Sequence, residues 1–232
     1  MTDSPAAYDE VAEAYRRVLD PDRRGLSDLA LTELQGNVCG QVVLSLACGQ
    51  GQDARLLARL GARVTGIDIS TEMLRHAFEQ ESTEPQGIAY VHGDAEDLGR
   101  FGDEIFDGVL CHMALMDIPD LASTIRAVAR VLRSRGWFVF SIVHPAYHPH
   151  VQIVSDYLSD HRYRKARPVD WLPTHAYHRP LASYVNELAD SGLFVERLVE
   201  VHQAGDRDPV PDRARRDAGG VPGLLYARTA KR

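Results

Sequence analysis

The sequence predicts an α/β protein, a seven-stranded, mostly parallel sheet with helices on both faces and a C-terminal hairpin added antiparallel. Three observations carry that prediction. Short apolar runs alternate with amphipathic stretches between Val42 and Val143, the order of a parallel sheet wound with helices. The first apolar run, Val42-Val-Leu-Ser-Leu46, enters a tight glycine pair, Gly49 and Gly51, and a helical pattern follows at once. Near the end, a helix, a glycine stop and two apolar runs joined by a charged loop form the pattern of a terminal hairpin.

The elements follow in order. Ser4-Pro5 caps a helix in which Tyr8, Val11, Ala12, Tyr15 and Leu19 recur at helical spacing, and Asp20-Pro-Asp-Arg23 breaks it. Leu26–Leu34 is a second short amphipathic stretch. Val42–Leu46 is a strand, Gln52–Leu60 a helix and Arg63–Ile67 a strand. Ser70 caps the helix Thr71–Gln80, and Ile88–Val91 and Phe106–Cys111 are strands. Leu121–Leu132 is a helix and Trp137–Val143 a strand. From His144 to Pro180 the periodicity fades and His, Tyr, Pro and Arg dominate, which reads as an inserted cap within one domain spanning 1–232. Leu181–Ser191 is a helix stopped by Gly192, Phe194–Val201 a strand, 203–220 a charged loop, and Leu224–Arg228 the last strand.

Composition bounds the function. Hydrophobic residues make up 44% and charged residues 25% of 232, ordinary for a soluble globular chain. A formal charge of −7 argues against a nucleic-acid backbone as partner. Cys39, Cys48 and Cys111 are odd in number and contain no CxxC pair, which predicts a reducing, cytoplasmic setting and no disulfide framework. No basic-then-apolar leader opens the sequence, and no apolar run reaches the ~18 residues of a membrane span.

Gly49-Gln-Gly-Gln-Asp-Ala54 after a strand is a nucleotide-binding turn. The pattern GxGxxA fits a dinucleotide, another adenosine cofactor, or a turn that is only structural. Asp68, ending Val64-Thr-Gly-Ile-Asp68, can accept both hydroxyls of a ribose, and Asp94 in Gly93-Asp-Ala95 can accept an adenine amino group. A dinucleotide domain would add a second mononucleotide half and a later substrate domain, and neither is visible.

Taken together, several segments resemble class I S-adenosylmethionine-dependent methyltransferases of the small-molecule, methyltransferase domain 11 type. They are Leu44-Ser-Leu-Ala-Cys-Gly-Gln-Gly51, Gly66-Ile-Asp68, Gly93-Asp-Ala95 and Phe106-Asp-Gly-Val-Leu-Cys-His-Met113, then Val131-Leu-Arg-Ser-Arg-Gly-Trp-Phe138 and His178-Arg-Pro-Leu-Ala-Ser-Tyr184. The resemblance implies a Rossmann-like fold and S-adenosylmethionine as cofactor, with S-adenosylhomocysteine as product. It implies that Ala47, Gly49 and Gly51 lie beneath the methionine and ribose, that Asp68 binds the ribose, and that Ile69 and Met73 flank the adenine beside Asp94 and Ala95. Cys111, His112 and Met113 would run beside the methionine end, and Tyr8 and Tyr15 would sit in a helical lid over residues 1–36. Two positions depart from the family pattern: Ser45 stands where an acid is usual, and Ala47 where the first glycine is usual.

Methyl transfer needs alignment, exclusion of water and, for an O–H or N–H acceptor, a base. His144, His178 and His112 are the candidate bases, in that order of expectation. His144, His148 and His150 are spaced like metal ligands but lack a paired carboxylate or cysteine, so no metal is expected. The expected reaction is methylation at O, N or C of a small, partly aromatic metabolite, as in bacterial secondary metabolism. The alternatives are a quinone or isoprenoid intermediate, an NAD-binding dehydrogenase-like protein, or a non-catalytic adenosyl-binding module. The expected partner is the small-molecule acceptor, with neither nucleic acid nor membrane, and a homodimer is compatible with the sequence.

Overall fold

A computed structural model describes residues 6–18, 26–146, 156–164, 175–201 and 222–232. The Ser4-Pro5 cap, the break at 20–23, His148, His150 and the loop 203–220 lie outside these residues.

The chain begins with α1 (Ala6–Asp9), α2 (Ala12–Val18) and α3 (Leu26–Gln35). The α/β alternation follows: β1 (Val42–Leu46), α4 (Gln52–Arg59), β2 (Arg63–Asp68), α5 (Thr71–Thr83), β3 (Ala89–His92), β4 (Phe106–His112), α6 (Leu121–Val131) and β5 (Leu132–Val143). A two-stranded hairpin, β6 (His161–Arg164) and β7 (His175–His178), precedes α7 (Leu181–Asp190), β8 (Leu193–Val201) and β9 (Leu224–Lys231). The main sheet has seven strands in the order β3-β2-β1-β4-β5-β9-β8, with β9 antiparallel to both neighbours.

Strand periodicity explains the two layers. Leu44 and Leu46 face one side with Val109, Phe138 and Phe140, against Ile125 and Val128 of α6 and Leu188 of α7. Val43 faces the other side with Val64, Leu110 and Val139, against Leu31 and Leu34 of α3, Leu57 of α4 and Leu74 of α5. With both faces covered, the central strands read as continuous apolar runs.

The structure departs from the sequence reading at the fifth strand and at the first helix. The fifth strand starts at Leu132 instead of Trp137, because α6 passes straight into extended backbone at Leu132, and the exposed Arg133-Ser-Arg135 that follows shows no alternation and turns at Arg135 with a φ of 64°. A register shift between Phe106 and Gly108 absorbs the extra length, and Gly108 is glycine because the Trp137 ring fills its side-chain space, with Cδ2 2.6 Å from where a Cβ would sit. The first predicted helix is broken into α1 and α2 at Glu10-Val11.

The parallel strands β2, β1, β4 and β5 end on one edge, at Asp68, Ala47, His112 and His144. An open α/β sheet binds ligands on that edge. No helix among the described residues is long and apolar enough to cross a membrane.

Candidate functional site

The floor of the cleft is backbone. Ala47, Gly49 and Gly51 all adopt positive φ, at 51°, 53° and 83°. Cys48 N–H donates to the Ile67 carbonyl, and Gly51 N–H to that of Cys48, which fixes the turn against β2. A side chain at Gly49 would meet nothing within 4 Å, so an open space lies above it. At Gly51 a Cβ would strike the Tyr90 ring, with Cζ at 2.8 Å. Gly51 therefore serves packing, while Gly49 keeps open a cradle that a side chain would fill. Ala47 holds a left-handed conformation that costs an L-residue roughly 1 kcal/mol, so the departure from glycine is accommodated under strain.

Asp68 is buried at the end of β2. Its Oδ2 accepts the Gly49 N–H at 2.7 Å and its Oδ1 the Ser70 N–H at 2.9 Å. A carboxylate offers about four lone-pair sites, so each oxygen retains acceptor capacity for a pair of hydroxyls. Burial raises its pKa, and the N–H groups of Ser70, Gly49 and Ile69 pull the other way. Ser70 caps α5 as expected, its Oγ accepting the Met73 N–H at 3.1 Å. Of the residues expected to flank an adenine, Ile69 and Ala95 are half-buried, Met73 is buried, and exposed Asp94 closes a short turn by accepting the Glu96 N–H at 2.9 Å.

Cys111 has no exposed surface and packs into the core, and Cys48 lies beneath the turn. Burial first, then nearby carboxylates, pushes both thiols up, so they remain protonated near neutrality. Cys111 is thus wall material and exposes no atom, so the expectation that it runs beside a bound methionine is not met. Met113 carries a positive φ of 54° where β4 leaves the sheet.

Above this floor lie α1 and α2. The Tyr8 hydroxyl donates to Asp117 Oδ2 at 2.5 Å. Burial and then the charges of Asp117, Asp53 and Asp68 push Tyr15 up to about 12, and Tyr8 is raised by burial and by Asp117. Carboxylates from α4, β2 and the loop after β4 therefore converge beneath the tyrosines. That donor set suits an organic cation. Among the described residues, no group of three or more His, Cys, Asp or Glu could hold a metal ion.

The three candidate histidines part company. His112, half-buried at the end of β4, shares Nδ1 with the Ser141 hydroxyl at 2.5 Å, and the same hydroxyl accepts the Met113 N–H at 3.0 Å. His144 has both ring nitrogens engaged, Nδ1 accepting the Ala146 N–H at 3.1 Å and Nε2 bonding Glu200 at 2.8 Å. Because a backbone N–H must donate, Nδ1 supplies the lone pair and Nε2 carries the proton, which leaves His144 no nitrogen for the cleft. The expectation of an inward-pointing His144 is not met. His178 is buried and donates Nε2–H to the Tyr157 carbonyl at 2.9 Å, with its ring stacked on His161 at 4.7 Å. Beside it, buried Arg179 donates to the carbonyls of Leu115, Ile118 and Pro119, pinning the loop that carries Asp117.

Sequence reasoning missed Asp9, Asp117, Ser141 and Arg179. Ser141 left a signal, a lone hydroxyl inside the apolar run Phe138-Val-Phe-Ser-Ile-Val143. Asp117 left another, an acid flanked by Met116 and Ile118 just past a strand end.

Residues 44–140 match the methyltransferase domain family. The ubiquinone biosynthesis O-methyltransferase of Albidiferax ferrireducens is 40% identical over 108 residues, 45% of this chain and 42% of the relative. That of Ralstonia nicotianae is 31% identical over 147 residues, 60% of this chain and 62% of the relative. The chain spans about half the length of the curated relatives it matches. A crystal structure of an S-adenosylmethionine-dependent methyltransferase from Mesorhizobium loti superposes with a TM-score of 0.75 at 26% identity, covering 91% of this chain and all of that one. One from Methanosarcina mazei, at 18% identity and a TM-score of 0.67, covers 87% and 96% and shares the fold.

Proposed function

We propose that this chain, which belongs to the class I S-adenosylmethionine-dependent methyltransferases, methylates a hydroxyl oxygen of a small aromatic acceptor. The Asp68 carboxylate carries the cofactor half of that reading. Two backbone N–H groups hold it at the end of β2, and spare acceptor capacity on both oxygens suits the two hydroxyls of a ribose. Gly49 leaves room for close backbone approach, and Asp53, Asp68 and Asp117 offset the positive charge of a sulfonium and an ammonium. Ile69, Met73, Asp94 and Ala95 would flank the adenine, and Tyr8 and Tyr15 close the cleft from above. A dinucleotide would also use Asp68, but this sheet ends in an antiparallel pair where a second mononucleotide half would lie.

Bound S-adenosylmethionine supplies a methyl group already activated on sulfur. The residues around it must orient the acceptor, exclude water and take one proton. We assign the proton to His112. In the tautomer that carries its proton on Nδ1, that N–H donates to Ser141 Oγ, whose second lone pair takes the Met113 N–H, and Nε2 is left as the accepting atom. His144 and His178 hold the cap by their bonds to Glu200 and to the Tyr157 carbonyl. A phenol of the quinone-precursor kind is the acceptor class favoured by the likeness to ubiquinone biosynthesis O-methyltransferases, ahead of secondary metabolism.

The test is release of adenosylhomocysteine from a panel of phenols, catechols, amines and carbon acids. Phenolic acceptors should be methylated at oxygen. His112→Asn should lower that turnover by roughly 10²–10⁴-fold, the range for losing a general base, with adenosylhomocysteine affinity by calorimetry nearly unchanged. Turnover confined to amines or carbon acids would overturn the oxygen assignment.

A further inference from the structure

Asp9 belongs to α1, yet its hydrogen bonds reach the first turn of α5. Oδ1 accepts the Ser70 hydroxyl at 2.6 Å and the Glu72 N–H at 3.0 Å, and Oδ2 accepts the Thr71 hydroxyl at 3.4 Å. A carboxylate in this place meets the positive end of the helix dipole and satisfies an N–H that the helix itself leaves unbonded. Ser70 joins this contact to the cofactor floor, because its own N–H donates to Asp68 Oδ1. One five-residue segment, 68–72, therefore presents an acid to the cleft and holds α1 from outside.

The other tethers of this lid differ in kind. Helices of four and seven residues are too short to hold their shape unaided, so tertiary bonds must place them. The Arg16–Glu79 pair at 3.7 Å is half-exposed on both sides and contributes little. Tyr8 grips the loop after β4 through Asp117. Asp9 grips the segment that carries the ribose acid. Burial raises the Asp68 pKa, and the Asp9 charge adds to it. The two carboxylates thus repel across Ser70, and hydroxyl donors arriving at Asp68 favour closure.

We propose that Asp9 is a positioning residue, a latch that holds α1 shut on the N-terminus of α5 and so sets how fast the adenosyl cofactor leaves. The proposal rests on the reading of this cleft as an S-adenosylmethionine site. Two measurements on the full chain separate the two ideas. In the cofactor-free protein, amide exchange by NMR should show Glu72 N–H exchanging at least about tenfold faster in Asp9→Ala, the scale of a lost bond to a charged acceptor. Met73 N–H, capped by Ser70, should stay protected. By stopped flow, adenosylhomocysteine should dissociate at least about tenfold faster from Asp9→Ala, with Asp9→Asn between it and wild type. Unchanged Glu72 exchange in both variants overturns the latch whatever the cleft binds. Faster exchange with unaltered dissociation overturns its control of exit. A wild-type chain that binds no adenosylhomocysteine overturns the cofactor reading, and this control of exit with it.

Discussion

The two walls of the cleft are built by opposite means. On one side, at the ends of β1 and β2, the backbone does the shaping. Three positive-φ residues lie within five positions, N–H groups bond to Asp68, and a glycine is fitted against Tyr90. On the other side, beyond β5, side chains do it. His144 bridges to Glu200, His178 to the Tyr157 carbonyl, and Arg179 to three carbonyls of the β4–α6 loop. A backbone wall suits a ligand whose shape never varies. A wall of side chains can be rebuilt for a new acceptor without touching the floor.

The comparison can be broken at its most rigid point. Gly51→Ala adds a Cβ against the buried Tyr90 ring at a φ of 83°, and should destabilise the chain by about 3 kcal/mol through overpacking and left-handed strain together. Gly49→Ala, with open space above it, should cost the fold only about 1 kcal/mol yet abolish calorimetric binding of adenosylhomocysteine. Equal denaturant midpoints for the two variants would contradict the division of labour. A smaller effect is expected on the side-chain wall. His144→Ala should lose about 1–3 kcal/mol of stability by orphaning its partners, while turnover per folded molecule stays near wild type. A collapse of turnover with the midpoint unchanged would return His144 to the chemistry. The smallest effect belongs to Ala47→Gly, which relieves left-handed strain against the extra entropy of glycine. A net gain of up to about 1 kcal/mol in thermal unfolding is expected, and a loss would mean the turn is not strained at Ala47.

The same contrast decides what could be read in the residues beforehand. The floor was legible because backbone needs leave local marks: Gly49 and Gly51 after an apolar run, Asp68 at a strand end, Ser70 before a helix. The sheet was legible for the same reason, down to the antiparallel pair. Side-chain partnerships leave no such mark. Tyr8 and Asp117 are 109 positions apart, and His144 and Glu200 are 56 apart. Nothing near His144 says that its lone pair belongs to Ala146. Position after a central strand therefore pointed first to His144 as a base, while His112, ranked last of the three candidates, owes its preference in the proposal to Ser141, a neighbour only in sheet register.

The strand order has a consequence for how the chain is made. β9 lies between β5 and β8, so among the described residues β8 has no sheet neighbour except 224–231. During synthesis β8 and α7 emerge before the strand that joins them to the sheet. Until then β5 shows an unpaired edge and β8 is a detached ribbon with Phe194 and Leu198 exposed. The strands β1 to β5 emerge first, but the core layer under α3, α4 and α5 is closed only when Leu224 and Tyr226 of the eight-residue β9 join it and Arg228 bonds the Leu34 carbonyl. A ribosome stalled before residue 224 would hold a chain with an open flank, the state most exposed to pairing with another nascent copy.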